Sequence, residues 1–150
     1  MKRIAAGVMA IFWGMFALAG GTAWAAEPGG MRASKSAVRT EIVEVIDGQL
    51  AAFRTKEVGR AYAYASTGLQ RQTPIRRFAI LVRDGYPEIW ANARTEYGLV
   101  RDDGTRATVT TRVFSAGGES AAYDYVLVRE DEVWRIAGVL RHEAKNEKKI

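Results

Sequence analysis

From Val38 onward the hydrophobic positions follow a helical period. Val38, Ile42, Val45, Ile46, Leu50 and Phe53 recur at spacings of three, four and one, the stripe of a single helix face. Arg39, Glu41, Glu44, Asp47 and Arg54 fall largely on the other faces, so the pattern predicts an amphipathic helix over residues 36–53. Thr55 is a candidate N-cap for a second, shorter helix. In it Val58, Ala61, Tyr62 and Ala65 share a face, and Ser66-Thr67-Gly68 stops it. Thr73-Pro74 opens a third helix: threonine can cap, and proline at the first helical position gives up an N–H that had no partner anyway. Ile75, Phe78, Ala79, Val82 and Tyr86 supply its stripe. Gly85 and Pro87 end it, and Glu88-Ile89-Trp90 adds a short turn.

After Asn92 the period drops to two. Residues 95–100 read as a strand, and Asp102-Asp103-Gly104 is a hairpin turn signal. Residues 106–114, rich in threonine and valine, form a second strand that Ala116-Gly117-Gly118-Glu119 turns. Residues 121–129 and 133–141 make the last pair, joined at Glu130-Asp131-Glu132. Three helices followed by four strands with short connections specify an α+β domain. The strands pair antiparallel, with the helices covering one face of a curved sheet.

Upstream of this pattern the chain is of another kind. Lys2 and Arg3 precede a short apolar run from Ile4 to Ala19; Gly20-Gly21-Thr22 breaks it, and Ala23-Trp24-Ala25 has the small-x-small form of a cleavage site. Residues 1–25 are therefore expected to be a signal peptide that exports the chain to the periplasm or the medium. The run is at the short end for a membrane span, so no stable anchor remains after cleavage. Residues 26–36, with Pro28, Gly29, Gly30 and Ser34, read as a flexible leader, 37–142 as one α+β domain and 143–150 as a polar tail. Removing Lys2 and Arg3 leaves 20 basic against 17 acidic residues, too mild and too mixed a surplus to argue for nucleic acid. The absence of cysteine excludes disulfides and a lipid-anchored cysteine alike.

The order of elements resembles the nuclear transport factor 2-like (SnoaL-like) superfamily, a cone of helices packed in a bent antiparallel sheet. Residues 46–54 with Ala61-Tyr62-Ala63-Tyr64-Ala65-Ser66 are similar to its opening helices, and residues 123–127 with 133–139 to its closing hairpin. More narrowly, Gln49-Leu50-x-Ala52-Phe53, Tyr64-Ala65-Ser66 and Arg83-x-Gly85-Tyr86-Pro87 resemble the domain of unknown function 4864 family. The likeness covers residues 38–141 and implies a fold without fixing a function.

Superfamily enzymes, isomerases and dehydratases among them, hold a carboxylate base with tyrosine or histidine partners inside the cone. The resemblance thus implies one alternative, an enzyme acting on a small hydrophobic substrate. The residues do not spell out such a site. His142 stands at the end of the last strand beside Glu143; Asp84 and Asp124 are candidate bases at positions where surface carboxylates are the rule. No catalytic residue, metal cluster or cofactor motif emerges. One histidine and scattered acids supply no ligand set, and Gly29-Gly30 and Gly117-Gly118 lack the strand-to-helix setting of a phosphate loop.

Aromatic residues are the suggestive feature. Among Tyr62, Tyr64, Tyr86, Trp90, Tyr97, Tyr123, Tyr125 and Trp134, the candidates for lining a small cavity are Tyr64, Tyr86, Trp90, Tyr97 and Tyr125. Such a cavity would take a small apolar or amphipathic ligand. The same rings serve equally as the core of a small domain. Tyr62 and Tyr64 cannot share a helix face, whereas Tyr123 and Tyr125 share a sheet face, and Trp134 and Ile136 share another and point inward. Thr108, Thr110 and Arg112 alternate with Ala107, Val109, Thr111 and Val113, so neither sheet face is plainly wet; a homodimer through the sheet, or a structural protein built on one, is the third reading. The expectation is an exported, non-enzymatic binding or accessory module.

Overall fold

An amphipathic helix with a stripe this wide needs an apolar surface to bury it, and the sheet provides that surface. The computed structural model describes residues 30–142. The expected signal at 1–25 and tail at 143–150 lie outside the described residues. The elements run β1 (Arg32–Ala33), α1 (Ser36–Arg54), α2 (Val58–Ala63), α3 (Thr67–Gln72), α4 (Ile75–Gly85), α5 (Pro87–Trp90), β2 (Asn92–Asp102), β3 (Arg106–Ser115), β4 (Ser120–Glu130) and β5 (Val133–Arg141). The strands form one curved antiparallel sheet in the order β1-β2-β3-β4-β5, and the fold is α+β. Ile42, Ile46, Leu50 and Phe53 of α1 are buried among Val100, Val109, Val113, Tyr123, Tyr125, Leu127, Trp134 and Ile136 of the sheet.

Local polar chemistry departs from the sequence expectation in the connections. Thr55 does not cap α2. It ends α1, and its hydroxyl donates to the Glu57 carboxylate (2.6 Å). Ser66-Thr67-Gly68 stops one helix only by starting another. Ser66 is the N-cap of α3, its Oγ accepting from the Leu69 N–H (3.1 Å), because a side-chain oxygen that satisfies loose N–H groups serves any helix that follows it. Thr73 is no N-cap either: it closes α3, its N–H donating to the Leu69 carbonyl (2.9 Å), and Pro74, expected inside the next helix, stands just before α4 without a capping hydrogen bond. Within the stretch read as a leader, Arg32 and Ala33 pair with Asp102 and Arg101, adding a fifth strand to the expected four.

The edge strand β5 sets the geometry of everything near it. Val126 of β4 lies opposite Gly138, but Leu127 lies opposite Ile136, so Ala137 is a bulged extra residue. Opposed residues share a sheet face, so one extra residue reverses the alternation. Trp134 and Ile136 point inward before the bulge; Val139 and Arg141, opposite the inward Tyr125 and Tyr123, point inward after it. The outer side of β5 is not left bare at Ile136. Its N–H donates to the Tyr64 carbonyl and its carbonyl accepts from the Ser66 N–H, each at 2.8 Å, which ties the α2–α3 corner to the sheet.

Two polar devices lock the helices over the sheet. Buried Asn92 donates to the carbonyls of Leu50 (2.9 Å) and Ile89 (2.8 Å) and accepts from Arg54 (2.7 Å), joining the ends of α1 and α5 to the start of β2. Arg141, turned inward by the bulge, makes a two-pronged pair with buried Glu88 (2.8 and 2.9 Å), which also accepts from the Tyr123 hydroxyl (2.6 Å). Burial raises the Glu88 pKa, but the Tyr123 hydrogen bond, its own backbone N–H and Arg141 outweigh burial and hold it below 4.5. A carboxylate depressed in the fold stabilises it above the unfolded pKa and ceases to do so as pH falls through the folded value. Glu88→Gln should therefore destabilise the chain by about 1.5–3 kcal/mol at neutral pH. In urea melts its deficit against the parent should shrink steadily below pH 4.5; a deficit constant down to pH 2 would remove the ion pair from this role.

Candidate functional site

A cavity of about 90 Å³ opens between the helices and the edge of the sheet, beside the bulge. Gln49 and Phe53 of α1 form its floor, with Ile89 of α5; Phe78, Leu81 and Val82 of α4 form one wall, and residues 136–139 of β5 the other. Leu69 and Gln72 of α3 stand at the mouth with Tyr86, and buried Thr73 adjoins them. The α4 lining is a direct product of sequence, since positions 78, 81 and 82 lie on one helix face. The β5 lining is a product of the bulge, which brings Val139 to the inner side.

The wall is held by side chains that satisfy backbone groups. The Tyr62 hydroxyl lies within hydrogen-bond distance of the carbonyls of Gln70 (2.9 Å) and Thr73 (2.7 Å), while the Gln70 amide donates back to the Tyr62 carbonyl (2.9 Å). Tyr86 closes the other side by donating to the Val139 carbonyl (3.0 Å). Buried Gln49 donates to the Ala61 carbonyl (3.2 Å). Through the lining residues Phe78 and Phe53, a row of aromatic rings runs from Tyr62 to Phe78 (5.1 Å between centroids), Phe53 (5.9 Å) and Trp90 (6.0 Å). Thr73 differs from its neighbours. It is 1% exposed, both its backbone groups are used, and its Oγ1 has no hydrogen-bond partner. Buried hydroxyls of that kind are uncommon and call for a reason.

Of the five aromatic residues expected to line a cavity, Tyr86 does so here. Trp90 sits one layer back, tilted against Phe53, with the Lys56 ammonium 4.3 Å from its ring centroid. Tyr64 lies on the far side of α2, in a shallow groove with Glu41, Glu44 and Trp134, where it packs on Gly48 so closely that a Cβ there would come within 2.5 Å of its Cζ. Tyr97 donates to the Asp47 carboxylate of α1. Tyr125 is fully buried with its hydroxyl unpartnered. Burial raises the pKa of Tyr97, and its hydrogen bond to Asp47 adds to this. Burial likewise raises Tyr123 and Tyr125, the first helped by Glu88 and the second by Tyr86 and Asp47. All three phenols remain protonated at ordinary pH; Tyr97 and Tyr123 donate to carboxylates and Tyr125 has no partner.

The acids are elsewhere. Asp84 is exposed and paired with Arg83 (2.9 Å); Asp124 points to the outer sheet face, bonded by Thr110 (2.7 Å) and His142 (2.6 Å). No carboxylate belongs to the cavity lining. The residues that sequence reasoning left unassigned to a site are Phe53, Phe78, Gln49 and Thr73. Phe53 and Phe78 were visible as stripe positions and Gln49 as a polar residue inside a stripe, a signal that burial confirms. Nothing in the sequence around Thr73 separates it from an ordinary cap.

Tyr123 and Tyr125 offer opposite signs on one sheet face. Tyr123→Phe removes a bond to a buried carboxylate and should cost about 1–3 kcal/mol, whereas Tyr125→Phe removes an unpaired buried hydroxyl and should be neutral or stabilising. Denaturant midpoints at equal m-value decide the point, and a loss of similar size in both variants would show that Tyr125 has a partner.

Compared with known proteins, the chain matches the family described as "Domain of unknown function (DUF4864)" over residues 35–149. No curated protein and no solved structure matches it.

Proposed function

The chain belongs to the domain of unknown function 4864 family, and from that premise we propose that it is an exported, non-enzymatic binding module that takes a small apolar or amphipathic molecule into the cavity beside β5. The carrying observation is the cavity itself: it is apolar, wedged between α1, α4 and β5, and its rim is pinned by Tyr62 and Tyr86 at its two sides. Concave, mostly apolar sites with a few placed polar groups are where small ligands bind. The stretches by which the chain resembles its family gather around it. Gln49 and Phe53 come from the first, Tyr86 from the third, and Tyr64-Ala65-Ser66 bridges to Ile136 at its edge. Acid–base catalysis would need a carboxylate or imidazole facing the same space, and the lining has neither.

Export rests on the Lys2-Arg3 start, the apolar run and Ala23-Trp24-Ala25. The measurement is differential scanning fluorimetry of the purified chain against small neutral apolar and amphipathic molecules. A ligand at a hundred times its dissociation constant should add about 2.7 kcal/mol and raise the midpoint by several degrees. Leu81→Trp, which enlarges a wall residue into the cavity, should abolish the shift. Absence of any shift across the panel would sink the reading.

A second reading concerns the outer sheet face. Val126, Val128, Thr108 and Ala122 point outward with no helix over them, Leu140 is 37% and Leu99 60% exposed, and Arg112 and Arg135 share the face with Glu96 and Asp124. A mixed face of this kind suits a second copy of the chain. Light scattering at tens of micromolar should give a dimer mass, lost in Val126→Arg; a monomer mass for the parent would end this reading.

A further inference from the structure

Helix α4 turns one side to the core and the other to solvent, and its outward side is basic. Phe78 and Val82 are its buried positions, so Arg76, Ile80 and Arg83, spaced by four and three, lie together on the opposite side. Ile80 is 51% exposed there, and Ile75 on its flank is 42% exposed. The chain leading into α4 adds to the charge. Residues 56–84 hold Lys56, Arg60, Arg71, Arg76, Arg77 and Arg83 against Glu57 and Asp84, and both acids already pair, with Arg60 and Arg83. The other described residues balance, 11 basic against 12 acidic, so the surplus positive charge of the described chain belongs to α2–α4 and their connections. Single exposed apolar residues are ordinary on a protein surface. Isoleucines set among arginines, on a segment that carries the whole surplus, form the mixed chemistry of a surface that lies against lipid headgroups.

We propose that the outward face of α4 docks on a lipid bilayer rich in anionic headgroups, Arg76 and Arg83 meeting phosphates while Ile80, with Ile75 at the flank, enters the boundary between headgroups and acyl chains. A guanidinium pairs with phosphate in a two-pronged way, and the negative potential of such a bilayer holds basic segments against it. The isoleucines separate this surface from one built for a fully polar anion, because only a bilayer offers hydrocarbon directly beneath its charge. The contact is peripheral: Phe78 and Val82 stay in the core, and only the outer face of the helix meets lipid. The inner side of the same helix lines the cavity, but the docking stands on the outer face alone and does not depend on what the cavity binds.

The test is sedimentation of the chain recovered after export, with cleavage after Ala25 checked by mass so that the apolar run from Ile4 to Ala19 plays no part. Vesicles are either phosphatidylcholine alone or equal parts of phosphatidylcholine and phosphatidylglycerol. Binding is expected on the mixed vesicles at low salt, about tenfold or more weaker on phosphatidylcholine alone, and lost in molar salt. Each basic residue near an anionic surface strengthens binding about fivefold, so Arg76→Glu with Arg83→Glu should weaken it at least tenfold. Ile80→Ser, which removes a half-exposed aliphatic chain, should weaken it about three- to fivefold. Arg39→Glu with Arg101→Glu makes the same change in net charge at exposed positions on α1 and β2, and screening should keep its effect below about threefold. A parent that ignores the mixed vesicles, a control pair that weakens binding as much as the α4 pair, or Ile80→Ser binding as the parent does would overturn the assignment. Binding to poly-glutamate in place of the mixed vesicles would give the face to an acidic protein and overturn it equally. Thermal midpoints that match the parent's establish that the variants fold.

Discussion

One extra residue in the edge strand organises the half of this molecule that holds the cavity. Without the bulge at Ala137, strict alternation would place Gly138 and Leu140 inward and leave Val139 and Arg141 outside. With it, Val139 completes the cavity wall and offers its carbonyl to Tyr86, and Arg141 reaches the buried Glu88 carboxylate. The same reversal turns His142 outward to Asp124. A bulge near a sheet edge re-aims side chains at the price of one unpaired residue, and here the re-aimed side chains define both the site and the clamp behind it.

Beside the long helices α1 and α4 that line the cavity, the short helix α3 borders it and the α2–α3 corner is fixed by hydrogen bonds. Helices of six residues such as α2 and α3 are far below the length that is stable alone. Ser66 supplies the cap, the Tyr62 hydroxyl and the Gln70 amide serve carbonyls at the corners, and the bridge to Ile136 fixes the turn between them. Each of these contacts acts at the perimeter. The space between α3, α4 and β5 is framed without being filled, and Phe78, stacked on Phe53 and edge-on to Tyr62, backs that frame.

Tyrosines with nearly identical sequence settings end in different chemistry. Tyr123 and Tyr125 alternate on one face of β4, equally buried, yet Tyr123 finds Glu88 and Tyr125 finds no partner. Tyr97 meets Asp47 fifty residues away, and Tyr86 meets a main-chain carbonyl across the cavity rim. What separates them is the element packed opposite, which a strand's own alternation does not encode. Raised pKa values at Tyr97, Tyr123 and Tyr125 follow from burial first, so they mark enclosure and not reactivity.

The sequence by itself determined the longer elements and their buried faces. The spacing of Ile42, Ile46, Leu50 and Phe53 fixed α1, and the alternation around Tyr123, Tyr125 and Leu127 fixed the inward side of β4, because local periodicity and burial are the same physical demand. It also carried the family likeness. Tertiary structure alone decided where the aromatic residues went, that Thr55 and Thr73 close helices instead of opening them, and that Ser66 starts one. It decided the phase of β5 after Ala137, and with it the cavity, the Glu88–Arg141 pair and the isolation of the Thr73 hydroxyl. Those features depend on register and on which distant group stands opposite, and a bulge leaves no mark in hydrophobic pattern because the residue it inserts looks like any other in the strand.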